Sequence, residues 1–167
     1  VDRVPSPPAL PPPARALLLG FATGVRSQVP VALLAMAAER GDFDPGPGRL
    51  ARRFASPEAV RGALVAAGGE LILDKLPITP RRTTVGPSLQ RLATGSAVGA
   101  AVHYDAGRPR LPGALLGAAG AGAGAYVATR ARAAAAARTR LPGPLLGAVE
   151  DLVVVALALA VLSPARR

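Results

Sequence analysis

Ala16-Leu-Leu-Leu-Gly-Phe-Ala-Thr-Gly-Val-Arg-Ser-Gln-Val-Pro-Val-Ala-Leu-Leu-Ala-Met-Ala-Ala38 is apolar apart from Thr23, Arg26, Ser27 and Gln28. A helix that crosses a bilayer needs about 20 predominantly apolar residues, so residues 15–38 read as a first span. The stretch is too long for the apolar core of a cleavable signal and lacks a small-residue cleavage site. Arg26 sits too deep in it to reach either surface, and Pro30 at mid-depth frees a carbonyl and permits a kink.

Four further stretches repeat the pattern. Ser56-Pro57-Glu58 offers an N-cap, a proline at the first helical position and an acid at the positive dipole end, and that helix is expected to run to Lys75, before Pro77. Residues 88–104, 113–129 with the Ala-Arg run beyond, and 143–162 supply the others. The expected fold is all-α, a polytopic membrane helix bundle of about five transmembrane helices, with a re-entrant third helix as the alternative. Residues 1–14 carry Pro5, Pro7, Pro8 and Pro11 to Pro13 and read as an extended, disordered proline-rich tail. Residues 15–167 read as a single transmembrane domain.

Composition supports this. Half the residues are apolar, mean hydropathy is +0.34, and aromatics are only 3%, so burial falls to Ala, Gly, Leu and Val, which suit close helix packing in lipid. The absence of cysteine excludes disulfides, thiolate metal sites and cysteine nucleophiles. His103 is the single histidine and cannot form a histidine cluster; beside Tyr104 and Asp105 it is expected at the interface. The net charge of +10 lies in short arginine runs between apolar stretches. That layout meets lipid headgroups rather than nucleic acid, so the bilayer is the expected partner. Five spans would put ten basic residues on one side and nine on the other, too even to orient the chain, and would place Arg3 and Arg167 on opposite sides.

Ionisable residues in apolar stretches carry the functional argument, because each costs about 2.5–3.5 kcal/mol at bilayer depth. Glu70 and Asp74 are one helical turn apart and face the same way. They read as a proton- or cation-binding pair; the alternative is a boundary cap, with Asp74 and Lys75 at the headgroups. Arg26 requires a carboxylate partner, for which Glu150 and Glu70 are the candidates, and Asp151 adjoins Glu150. Ser27 and Gln28 would line a polar site beside Arg26. Arg26 and Lys75 against Glu70, Asp74, Glu150 and Asp151 leave an excess of negative charge, which favours a small cation or proton as cargo. No metal identity and no cofactor follow. No nucleophile elbow or phosphate loop is present, so an enzyme is not expected.

Glycines four apart recur at Gly20 and Gly24, Gly95 and Gly99, Gly113 and Gly117, Gly120 and Gly124, and Gly143 and Gly147. This spacing lets helix backbones approach closely, by packing within the chain or, alternatively, in a homodimer. Leu111-Pro-Gly-Ala-Leu-Leu-Gly-Ala118 recurs as Leu141-Pro-Gly-Pro-Leu-Leu-Gly-Ala148. On a longer scale, Arg26 followed by Glu70 and Asp74 is echoed by Arg130 and Arg132 followed by Glu150 and Asp151. Two helices, one connector and two more read as an inverted 2+1+2 repeat, an arrangement that places polar sites at the repeat interface.

Gly24-Val-Arg-Ser-Gln-Val-Pro30, Gly69-Glu-Leu-Ile-Leu-Asp-Lys-Leu-Pro-Ile-Thr-Pro-Arg81 with Gly95-Ser-Ala-Val-Gly99, and the Glu150-Asp151 pair together resemble the bacterial integral-membrane domain-of-unknown-function family 4126. The resemblance covers nearly all of the chain after the proline tail and implies a small multi-pass protein of the bacterial inner (cytoplasmic) membrane. The Glu-x-x-x-Asp-Lys segment also looks loosely like the Glu-x-Gly-Asp-Lys motif of a cation-exchanger family. Here the acids are four apart rather than three, and adjacent acids replace a second motif. The function expected is transporter- or channel-like with buried acids binding a cation or proton; the alternative is a structural or lipid-interacting membrane protein.

Overall fold

Pro30 cannot donate a hydrogen bond to the carbonyl of Arg26, four residues earlier, and its ring crowds that carbonyl. In the computed structural model, which describes residues 10–73, 85–139 and 142–162, the first apolar stretch accordingly forms two helices. Helix α1 (Pro12–Val25) starts on Pro12, so the last residues of the expected tail belong to it, and it is followed by Arg26 in an extended conformation (φ −137°, ψ 107°). Helix α2 (Gln28–Glu39) begins two residues later, with Pro30 in its first turn, where a missing N–H costs little.

The two helices double back. Asp105 accepts a hydrogen bond from the Asp44 backbone N–H at 2.9 Å and lies 3.7 Å from the Arg15 guanidinium, so the start of α1 and the chain beyond α2 meet at one carboxylate. Ala16 and Leu19 accordingly share a core with Leu34 and Ala38. The expected span over residues 15–38 is thus a helical hairpin whose tip is Arg26–Ser27. At 1.5 Å per residue its arms are only about 21 and 18 Å long.

Past a short basic helix, α3 (Arg49–Phe54), the chain enters α4 (Pro57–Leu73). The Ser56 hydroxyl accepts the Ala59 N–H at 3.2 Å, which is the N-cap its sequence specifies. α4 climbs along α2 and brings Glu70 to the hairpin tip. α5 (Val85–Asp105) descends to the Asp105 end as one continuous helix, so the apolar stretch that turns back on itself is the first and not the third. α6 (Arg110–Arg138) climbs, and α7 (Gly143–Leu162) descends from the tip, where Asp151 meets Arg26, to a core shared by Val161 and Ala16. Residues 10 and 162 therefore lie at the same end of the bundle; Arg3 and Arg167, expected on opposite sides, lie outside the described residues. All seven helices are α-helical, and no strand occurs among the described residues. α6 and α7 are long and apolar enough to cross a membrane.

Glycine holds α1, α5 and α6 together. A Cβ on Gly20 would collide with the backbone of Gly117, one on Gly24 with Ala121, and one on Gly99 with Gly113. Gly95 abuts Gly117 and Thr23, while Gly120 and Gly124 abut the backbone of Leu17 and Phe21. All six expected packing glycines are thus used inside the chain, and an oligomer would need another surface. The register carries a correction as well. Leu17 lies by Gly120, Phe21 by Gly124 and Gly24 by Ala125, so α1 and α6 run in the same direction. An inverted repeat pairing the first and fourth apolar stretches would require them to run oppositely.

Gly117→Ala should lower thermal stability in detergent, at a cost of about 1–3 kcal/mol for an overpacked contact. Gly68→Ala on α4, where nothing lies within 4 Å, should instead be neutral or gain about 0.5–1 kcal/mol. Equal melting temperatures for the two variants would refute the close-contact account.

Candidate functional site at the hairpin tip

A break between two helices leaves the first N–H groups of the second without acceptors, which is costly away from water. Ser27 has the usual N-cap identity, yet its side chain does not cap α2. Glu70 does so from α4. Its Oε1 accepts the Ser27 N–H at 2.9 Å and the Ser27 hydroxyl at 2.9 Å, and its Oε2 accepts the Gln28 N–H at 2.8 Å. A carboxylate at a helix N-terminus gains from both the hydrogen bonds and the dipole. Ser27 and Gln28 therefore do join Glu70, Gln28 through its backbone.

Arg26 is 1% exposed, and its backbone N–H closes α1 on the Ala22 carbonyl. Its Nε donates to Asp151 Oδ1 at 2.5 Å, and its Nη2 lies 3.9 Å from Glu150 Oε2. Glu150 is held at both oxygens by Arg132 of α6, at 3.0 and 2.7 Å. Adjacent residues on a helix point about 100° apart, which lets Asp151 address the hairpin while Glu150 faces α6. Of the two partners expected for Arg26, Glu150 is a distant one and Glu70 is not one; Asp151 makes the close contact.

Arg132 is the residue that sequence reasoning left off the site. Its signal is present, since it ends the apolar part of α6 as Arg26 interrupts the first stretch, but nothing in the sequence pairs it with Glu150. Asp74 and Lys75 lie outside the described residues, so the Glu70–Asp74 pair has no structural account. His103 is buried within the bundle: it is 3% exposed, with Nδ1 3.1 Å from the Pro109 carbonyl. Among the described residues no group of three His, Asp or Glu side chains is placed to hold a metal.

Chemically, the tip joins two kinds of site. Arg26, Asp151, Glu150 and Arg132 form a chain of ion pairs linking the hairpin, α7 and α6. Glu70 stands apart from it, and its negative charge is met by the N-terminus of α2 through neutral donors. Protonating that carboxyl would turn one oxygen into a donor facing donors, and α2 would lose part of its cap.

The family model described as Domain of unknown function (DUF4126) matches residues 14–165, and the chain belongs to that family. No curated protein and no solved structure matches it.

Removing one partner of a buried ion pair costs about 3–5 kcal/mol, because the other charge remains. Arg26→Ala should therefore fold poorly or melt well below the parent, and Arg26→Ala with Asp151→Asn should recover part of the loss. Asp151 replaces Glu150 and Glu70 as the compensating site because it makes the 2.5 Å contact. Rescue by Glu70→Gln and not by Asp151→Asn would contradict the geometry.

Proposed function

We propose that this chain is a small multi-pass membrane protein that moves a cation, a proton in the simplest case, past the hairpin tip, with Glu70 as the group that binds it. The observation that carries this reading is the Glu70 carboxylate at the free N-terminus of α2, inside an interrupted helix. Interrupted helices with carboxylates and helix ends at membrane depth are how secondary transporters build ion sites, and non-helical backbone at that depth is tolerated only where protein or a water-filled cavity surrounds it. Arg26 and Arg132 balance Asp151 and Glu150, which leaves Glu70 as the described acid free to exchange its charge. Proton binding there would uncap α2 and loosen the hairpin against α4, linking occupancy to a movement.

Membrane placement has its own support. Only 22% of the most apolar window of α7 is buried within the chain, whereas the apolar core helix of a water-soluble protein is mostly covered. Leu152 and Val65 are 70% and 75% exposed, and extended apolar surface of this kind marks contact with lipid or partners. In this reading α4 to α7 cross the bilayer and the hairpin enters and leaves by one face. Both termini then share a side with α3, which collects eleven basic residues against eight once Arg26 is set aside. That imbalance favours the cytoplasm for the termini, in the bacterial inner membrane that the family resemblance implies.

A second reading has an observation of its own: every described acid at the tip already has protein partners. The same charges would then be clamps in a structural or lipid-interacting protein.

Two measurements decide between these readings. Tags at the two termini should respond alike to an impermeant reagent in oriented vesicles, and opposite responses would overturn the four-crossing arrangement. In liposomes with an internal pH dye and a panel of external cations, the parent should show ion-dependent flux and Glu70→Gln should lose it while remaining folded, because an amide cannot exchange a proton. No flux from either protein, with a lowered melting temperature for Glu70→Gln, selects the clamp.

A further inference from the structure

At the end of the bundle opposite the hairpin tip, a cavity of about 390 Å³ lies between α2, α3 and α5. Its walls are apolar: Val31 and Leu34 from α2, Phe43 from the following loop, Phe54 from α3 and Val98 from α5. It reaches the surface at Leu50, which is 83% exposed, and at the exposed Ala97. The one charged residue lining it is Arg110, whose guanidinium is held over the Tyr104 ring at 4.3 Å. Such a volume falls in the range of small-ligand sites, where an apolar chamber with a few fixed polar groups sets orientation.

The rim is basic. α3 reads Arg-Leu-Ala-Arg-Arg-Phe, with Arg49, Arg52 and Arg53 exposed and Ala51 and Phe54 turned toward the cavity. Asp105 is met by Arg15 and by the Asp44 backbone, and Asp44 accepts from the Gly46 N–H, while Asp42, next to Phe43, is exposed. A short helix with apolar residues inward and arginines outward is the pattern of a segment lying in the headgroup layer, and each basic side chain there attracts anionic lipid.

We propose that this cavity takes one acyl chain of an anionic phospholipid, whose phosphate is held at the rim by Arg110 and the α3 arginines. The apolar walls suit a hydrocarbon chain, and Thr94 and Arg110, the polar side chains among the lining residues, are too few for a sugar or nucleotide. The single cation at the mouth and the basic helix beside it suit a phosphate and disfavour a zwitterionic headgroup. A lipid so placed would tie α3, α2 and α5 together at the base of the hairpin, which the tip chemistry requires to stay anchored. The proposal rests on the membrane placement above but not on transport.

The test is native mass spectrometry of the full chain in detergent, titrated with phosphatidylglycerol and, separately, phosphatidylcholine. The parent should bind one phosphatidylglycerol per chain in preference to phosphatidylcholine. Arg110→Gln should lose about fivefold of that preference, the share of one basic residue near a headgroup, and Ala97→Phe, which fills the mouth, should abolish the bound lipid while the melting temperature holds. Equal binding of both lipids, or an Ala97→Phe variant that binds like the parent, would overturn the proposal. So would binding that emerges only after deleting residues 1–9, which would make that segment the occupant. Recovery of the chain in the aqueous fraction without detergent would instead overturn the membrane placement itself.

Discussion

The unpaired N–H groups at the start of α2 are the constraint around which this molecule is arranged. Pro30 ends the hydrogen-bond ladder at Arg26, and a helix that begins inside a bundle carries N–H donors that need acceptors. An ordinary Ser27 cap would have served one of them. Glu70 instead satisfies two backbone donors and the Ser27 hydroxyl with one carboxylate, and in doing so fixes α4 against the hairpin. The turn also brings Arg26 to α7, where Asp151 meets it.

The hairpin has two unlike sides. On one, α1, α5 and α6 touch backbone to backbone through glycine, a contact with no side chains to reorganise and little freedom to slide. Gly24 lies only two residues before Arg26 and abuts Ala121, so α1 holds the tip at a set depth. On the other, α2 meets α4 through larger side chains and the charged groups, while α7 packs on both α1 and α2 and has little direct packing on α6 beyond the Arg132–Glu150 pair.

Charge balance refines the sequence argument for cargo. Counting only residues inside apolar stretches leaves an excess of acids, but Arg132, at the far end of α6, folds back on Glu150. What survives is narrower: one carboxylate, Glu70, compensated by helix-end donors rather than by a cation. Loss of Arg26 or Asp151, by contrast, strands a buried charge.

Much was legible in the chain itself. Apolar stretches of about 20 residues marked the helical class, the end of α5 and the start of α7; Ser56-Pro57 marked the start of α4, and glycines four apart marked the close contacts. Arg26, Ser27, Gln28, Glu70, Glu150 and Asp151 were recognisable because charge and polarity in apolar surroundings demand partners. Hydropathy and spacing are local quantities, however, and they do not record direction. Residues 15–38 have the length and polarity of one span whether Pro30 kinks the helix or ends it, and only packing of Ala16 and Leu19 on Leu34 and Ala38 turns it back into a hairpin. The same blindness hid the parallel run of α1 and α6, and so the repeat inferred from Arg26 and Arg132 did not describe their arrangement. Which acid meets which arginine was likewise decided in three dimensions. Adjacent Glu150 and Asp151 are equivalent by composition, and only the angle between successive side chains on α7 sends one to Arg132 and the other to Arg26.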